Sequence, residues 1–324
     1  MGCIVTENVM YLPSGRIFLT RTDDNYLIES TEMRDVSIQG KIHSEVRTTN
    51  DPHIIWKHLV PFKDKWLLTV STQKGCSFNC GFCDVAKLPF AGNLSVEDIQ
   101  NQISAILCAS PYVLQSDKVK IGFARMGEPA CNLLNVIEAI KSLPQLAKEQ
   151  DRDFKWLPCF NSILPRCSPC IEEILEVKEK DCAGYLHFQI SCNSTDEEKR
   201  RELFGGAKVL TLKEIVDIVN KKSISTRTVT LNFIVMDGVE VDVLKLKRMG
   251  LSGDKFTVKL IPLNNTLAAE KSGLKTYANY SNYEKLEELK KKFEQEGVPV
   301  VIDAIAKCEE AGLCCGQLAQ VFQS

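Results

Sequence analysis

From about residue 66 onward the chain alternates short apolar, partly β-branched runs with stretches of helical period, and this alternation narrows the possible folds more than any other feature. Trp66–Gln73, Val119–Ala124, Phe154–Phe160, Tyr185–Ser191, Arg227–Val235 and Phe256–Ile261 are predicted strands. Ser95–Cys108, Leu133–Leu143, Pro169–Val177, Thr211–Lys221, Val241–Met249 and Tyr283–Gly297 are predicted helices. In the first helix Val96, Ile99, Ile103 and Leu107 share a face behind Ser95, an N-cap residue. Val298–Ile305 is a last strand, with Pro299 tolerable only near its start. Such repetition implies parallel strands joined by right-handed crossovers. About six repeats fit an incomplete TIM-type (βα)6 barrel, whose chemistry sits at the C-terminal strand ends. The expected class is therefore α/β. The barrel spans 63–300, after a small β-rich accessory or cap segment (1–62) and before a tail (301–324). In the first segment, strands at Tyr11–Thr20 and Asn25–Glu29 surround turns at Pro13-Ser14-Gly15 and Asp23-Asp24-Asn25.

A chain of 324 residues with 44% apolar and 25% charged side chains can bury one large core plus a small accessory region. No apolar run approaches the ~20 residues of a membrane span, and the first residues lack a signal peptide's basic and apolar regions. Gly2 and Cys3 invite an acylation reading that Asn8 and Val9 do not support. A cytoplasmic protein without a membrane partner is expected. Its fourteen cysteines then serve as thiols and metal ligands rather than disulfides. The net charge of −2 gives little general attraction to nucleic acid, leaving only local patches. Lys290-Lys291-Lys292 reads as a solvated helix face.

Residues 76–83, Cys-Ser-Phe-Asn-Cys-Gly-Phe-Cys, supply three thiolates at Cys-x3-Cys-x2-Cys spacing and withhold a fourth. A 4Fe–4S cluster has four iron corners, so Cys76, Cys80 and Cys83 would leave one open to a small molecule. Structural zinc sites are closed four-ligand sets, and neither a second Cys pair at ribbon distance nor a supply of His is present. The loop follows the first predicted barrel strand, where chemistry is expected. Met126-Gly127-Glu128-Pro129 follows the second. Its glycine permits close backbone approach, and its carboxylate can accept hydrogen bonds from an ammonium group.

In spacing, the cysteine loop resembles that of the radical S-adenosylmethionine (SAM) enzymes. Residues 71–98, Met126–Pro129, Leu260-Ile261-Pro262-Leu263-Asn264 and the tail Cys314-Cys315-Gly316-Gln317-Leu318-Ala319 resemble the RlmN/Cfr-type radical-SAM RNA methyltransferases from about Leu59 to Ala319. The resemblance implies a 4Fe–4S cluster on Cys76, Cys80 and Cys83, with SAM on the open iron. It also implies an electron donor such as flavodoxin or ferredoxin. It places Gly127, Glu128, Ser191, Asn193 and Asn264 around SAM, with Asn193 standing where the family has histidine. Asn161 and Ser162, after the third strand, are further pocket candidates. By the same resemblance Cys315 is the cysteine that takes a methyl group from one SAM. A radical from a second SAM activates that group for addition to an sp2 carbon of adenine, and another cysteine resolves the adduct. A thiolate is a suitable nucleophile for the first step. Cys314 beside it is a possible spectator.

Three departures bear on substrate handling. The resolving cysteine's position is Thr69, the acidic residue expected near the base is Trp56, and residues 1–62 show no counterpart of the family's helical RNA-binding module. Trp56 could stack on a base or fill a core. Cys192 and Cys308 are substitute resolvers, and Cys167-x2-Cys170 with Cys159 is a weak further metal set. The leading expectation is methylation of a nucleobase-like substrate in RNA, DNA or a nucleoside-like molecule. Thr69 motivates the alternative, methylene insertion, cyclisation or dehydrogenation of a small molecule or peptide. A cluster protein that only binds partners would need neither Gly127-Glu128-Pro129 nor the thiol tail.

Overall fold

Ten strands form one sheet, and every strand lies beside its neighbour in sequence. They are β1 (Thr6–Leu12), β2 (Gly15–Arg21), β3 (Leu27–Met33), β4 (Trp66–Thr69), β5 (Gln115–Gly122), β6 (Asp153–Ser162), β7 (His187–Ser191), β8 (Val229–Val235), β9 (Phe256–Pro262) and β10 (Val300–Ile302). This computed structural model describes residues 6–38, 41–42, 46, 49, 51–182, 184–276, 284–303 and 314–323. From β4 to β10 all pairings are parallel, so each connection is a crossover through helix, as the alternation requires. The larger crossover helices are α2 (Val96–Ala109), α3 (Leu133–Lys148), α6 (Leu212–Asn220), α7 (Val243–Met249) and α9 (Glu284–Gln295). The shorter α4 (Ile171–Glu176), α5 (Glu197–Leu203) and α8 (Leu267–Lys271) fill the remaining turns, and α1 (Pro52–Lys57) precedes β4.

Local chemistry sets these boundaries. Ser95 caps α2 in a capping box with Asp98, and Thr211 does the same for α6 with Glu214. Val229, Leu231, Phe233 and Val235 of β8 pack into the same core as Val216 of α6 and Leu246 of α7. The alternate residues Thr230 and Asn232 therefore face the opposite, polar side of the sheet. Helices as short as α1, α5 and α8 span too few turns to display a period, and the sequence pattern does not announce them.

Two features position the site. The predicted strand Trp66–Gln73 leaves the sheet after Thr69. Its end, Gln73–Lys74, instead pairs antiparallel with Gly92–Asn93 and ties together the two ends of the cysteine loop. Strands β1–β3 form an antiparallel meander that joins the parallel sheet through β3 and β4, with Thr31 opposite Thr69 and Met33 opposite Leu67. The N-terminal strands are thus hydrogen-bonded into the sheet that carries the cysteine loop. Among the described residues, no helix is long and apolar enough to cross a membrane.

Candidate active site at the cysteine loop

The cysteine loop is held from outside the first strand. Gly81 N–H donates to the Leu203 carbonyl at the end of α5 (2.9 Å). Thr266 Oγ1 donates to the Phe82 carbonyl (2.9 Å), and Ser272 Oγ to that of Gly81 (2.8 Å). Asp84, directly after Cys83, is fully buried and caps α8 by accepting from Ala268 N–H at 2.7 Å and Leu267 N–H at 3.2 Å. Burial pushes the thiols of Cys76 and Cys83 up, to about 11 and about 12, and that of Cys80 well above its ordinary value. The neighbouring acids Cys83, Cys76 and Glu128 raise Cys80 further. Three thiolates can share this space only if a strong cation joins them. Among the described residues no three Cys, His, Asp or Glu groups converge on a point fit for a single metal ion. In a 4Fe–4S cluster each thiolate would sit on a separate iron, and three free thiols on one loop fit that arrangement.

Glu128 faces the same space. It is 5% exposed, and burial raises its carboxyl from the ordinary 4.5 to about 7. Its two oxygens accept from Ala130 and Ile163 N–H, each at 3.1 Å, and Ser162 adds a hydrogen bond. Among the described residues no cation is paired with it, so an incoming ammonium group would find a buried acceptor already oriented. Gly127 has φ +97°, and a Cβ there would lie 2.5 Å from Gln73 Cβ. Only glycine lets this turn press against Gln73, whose Oε1 accepts from Glu128 N–H at 2.9 Å. Leu164, two residues past β6, also adopts a left-handed backbone, at φ +55°.

On the polar side of the sheet, Asn161, Ser191, Gln189 and Asn232 form one network. Asn232 Nδ2 donates to Asn161 Oδ1 and to Gln189 Oε1, both at 3.1 Å, and Ser191 Oγ donates to Asn161 Oδ1 at 3.3 Å. Asn193 is buried at φ +63° and accepts from Ile234 N–H at 3.1 Å, leaving its Nδ2 without a partner. Asn264 sits beyond β9 and hydrogen-bonds Cys314 of the tail.

The tail brings Cys315 to this end of the sheet. Cys314 precedes the short α10 (Gln317–Gln323), and Cys315 acts electrostatically on the loop cysteine Cys83. Gln317 Nε2 donates to Asp84 Oδ2 at 2.8 Å, fixing the tail to the loop. Gly316, at φ +82°, packs so closely that a Cβ would come within 2.8 Å of Val85. Cys315 Sγ accepts from Arg125 Nη1 at 3.8 Å and donates to the Ala124 carbonyl at 3.8 Å. Burial pushes its thiol up, and Arg125 pulls it back.

Other expectations are corrected. Trp56 is neither a core residue nor near the cysteine loop. It is 54% exposed and donates to the Pro13 carbonyl at 3.1 Å. Pro13 lies at the end of the sheet where β4 begins, because adjacent Gly15 pairs with Met33 and Met33 with Leu67. Cys192 is fully buried in the apolar core with its thiol turned to the Ile190 carbonyl, an unsuitable resolver. Cys159 sits in β6 opposite His187, while Cys167 approaches Cys131 at 4.0 Å, so Cys159, Cys167 and Cys170 do not form the supposed metal set. Gly2, Cys3 and Cys308 lie outside the described residues. Thr69 ends β4 hydrogen-bonded to Thr31. Sequence reasoning missed Gln73, Asp84, Arg125, Asn232 and Glu29. Asp84, adjoining the last loop cysteine, carried the one usable signal.

Fold and cysteine loop together are similar to those of radical SAM proteins. The structure superposes on a radical SAM methyltransferase from Sphaerobacter thermophilus with a TM-score of 0.67 and 18% identity, covering 98% of this chain and 81% of the other. In sequence the chain is RlmN-like. It is 28% identical over 300 residues to a protein of Phocaeicola vulgatus described as "Probable dual-specificity RNA methyltransferase RlmN", covering 90% of this chain and 77% of the relative. It is also 28% identical over 222 residues to the Aquifex aeolicus protein of the same description, covering 67% and 61%. No family model matches the chain.

Proposed function

We propose that this chain is an RlmN-like radical SAM methyltransferase that loads a methyl group onto Cys315 and delivers it to an sp2 carbon of a nucleobase-containing substrate. The carrying observation is that the tail bearing Cys315 is pinned to the cysteine loop, Gln317 donating to Asp84 at 2.8 Å and Gly316 packing against Val85. The six helical crossovers from β4 to β10 are those an incomplete (βα)6 barrel needs, with the cysteine-loop end of the sheet as its C-terminal mouth. A 4Fe–4S cluster on Cys76, Cys80 and Cys83 would supply the electron that cleaves SAM. Glu128 would hold the SAM ammonium, and the Asn161–Ser191–Asn232 network and Asn193 Nδ2 would face its remaining polar groups. Cys315 Sγ forms its bond to the methyl carbon as the sulfonium C–S bond breaks. S-adenosylhomocysteine leaves with the electron pair, and the thiol proton passes to solvent. The RlmN relatives are described as acting on RNA, which favours RNA among nucleobase substrates.

Thr69 favours a second reading. A hydroxyl bonded to Thr31 cannot act as a resolving thiolate, so a radical enzyme of another outcome on a small molecule or peptide would also fit. Stoichiometry separates the two. Protein reconstituted anaerobically with iron, sulfide, SAM and a reductant should form 5′-deoxyadenosine, and in RNA turnover consume two SAM per methylated product. One SAM per product would support the second reading, and no 5′-deoxyadenosine would sink both.

A further inference from the structure

Three segments far apart in sequence meet behind Cys315, and their contacts exceed what anchoring a tail requires. Glu29, fully buried on β3, accepts from Gly316 N–H at 3.0 Å and from Ala319 N–H at 2.8 Å, and so seats the first turn of α10. The same carboxylate holds Arg125 at 2.6 Å. Arg125, 5% exposed, also donates to the Cys314 carbonyl at 3.4 Å and presents Nη1 to Cys315 Sγ at 3.8 Å. A fully buried carboxylate needs a countercharge, and Arg125 supplies it. Pairing with Glu29 occupies Nη2, whereas Nη1 of the same guanidinium reaches past that pair to the Cys315 sulfur.

Building on the reading of Cys315 as methyl carrier, we propose that Arg125 and Glu29 form a couple that aims Cys315 Sγ for methyl loading. The N-terminal meander thereby contributes a positioning residue to the active site. Sγ lies between a donor and an acceptor. The Ala124 carbonyl takes the S–H, so a sulfur lone pair lies toward Arg125. This fixes the thiol's rotation about Cβ. Glu29 in turn fixes the guanidinium and, through Gly316 N–H, the backbone that carries the thiol. In-line attack on a sulfonium methyl depends steeply on the direction of approach, and a displacement of about 1 Å can cost roughly 100-fold in rate.

The test follows the rate at which Cys315 gains a methyl group, by peptide mass spectrometry. It compares the wild-type chain, Arg125→Lys and the charge-neutral double variant Glu29→Gln/Arg125→Met, all reconstituted anaerobically to equal iron content. At saturating SAM the double variant should load at least about tenfold more slowly, with the SAM concentration for half-maximal rate little changed. Arg125→Lys should recover part of the rate, because an ammonium can still donate to Sγ. If the double variant does not fold, Arg125→Lys, which keeps the buried charge pair, should still load more slowly than wild type. Loading at the wild-type rate in whichever variant holds its iron overturns the couple. A wild-type chain that never carries methyl on Cys315 defeats the methyl-carrier reading itself, a separate outcome.

Discussion

Replacing Glu128 by glutamine should make the protein's stability relative to wild type depend on pH in a calculable way. Burial holds this carboxyl at about 7 in the folded chain against an ordinary 4.5. The folded value lies above the unfolded one, so the neutral acid is favoured by folding. That contribution is complete below 4.5 and is lost as pH rises through about 7. At about 1.36 kcal/mol per pH unit, wild type should lose roughly 2 kcal/mol between pH 5.5 and 8.5 through this group alone. Glutamine does not titrate, so the variant escapes that loss. It cannot accept from both Ala130 and Ile163 N–H, however, and one unsatisfied amide costs about 1–3 kcal/mol at every pH. Glu128→Gln should therefore be clearly less stable than wild type at pH 5.5 and close to it at pH 8.5. Urea unfolding of the reduced, cluster-free protein at the two pH values measures the difference. A gap that stays constant across this range would refute the buried, uncompensated carboxylate. In the cluster-loaded protein the same variant should bind SAM about 10–100-fold more weakly, through loss of a charge-assisted hydrogen bond of about 1.5–3 kcal/mol.

Alanine at any one of Cys76, Cys80 or Cys83 should reduce iron bound after reconstitution to near background, measured against acid-labile sulfide. Gly316→Ala should unseat the tail, since its Cβ would meet Val85 at 2.8 Å in a left-handed conformation. Faster alkylation of Cys315 in an otherwise folded chain is the readout. Trp66 is fully buried with edge-on contacts to Phe62 at 5.7 Å and Phe154 at 5.5 Å, and Trp66→Ala should cost about 3–5 kcal/mol in denaturant unfolding. Trp56→Ala, on the exposed far end of the sheet, should shift stability by no more than about 0.5 kcal/mol and leave SAM cleavage intact.

The residues legible in the sequence are those whose chemistry is carried by local spacing. Cys76, Cys80 and Cys83 occupy one eight-residue stretch, and Gly127-Glu128-Pro129 is contiguous with the strand that presents it. The parallel order of β4 to β10 followed from the alternation because consecutive crossovers of one hand leave little topological choice. Glu29 was not legible, because its meaning depends on Arg125 and Gly316, 96 and 287 positions away. Nothing in Leu-Ile-Glu-Ser-Thr marks that glutamate as buried rather than solvated. Gln73 escaped for a similar reason: it was assigned to a strand that ends at Thr69, and its role comes from the backbone of Glu128. Trp56 was misplaced by counting back from Thr69 without a gap, whereas here it follows a β-meander and rests on Pro13.

Methyl carriage by Cys315 can be tested directly on the wild-type protein. Cluster-loaded enzyme would be incubated anaerobically with SAM deuterated in its methyl group, digested, and analysed for the peptide that contains Cys314 and Cys315. The account predicts a deuterated methyl on Cys315 and none on Cys314. An unmodified Cys315 in protein that still cleaves SAM to 5′-deoxyadenosine would contradict it.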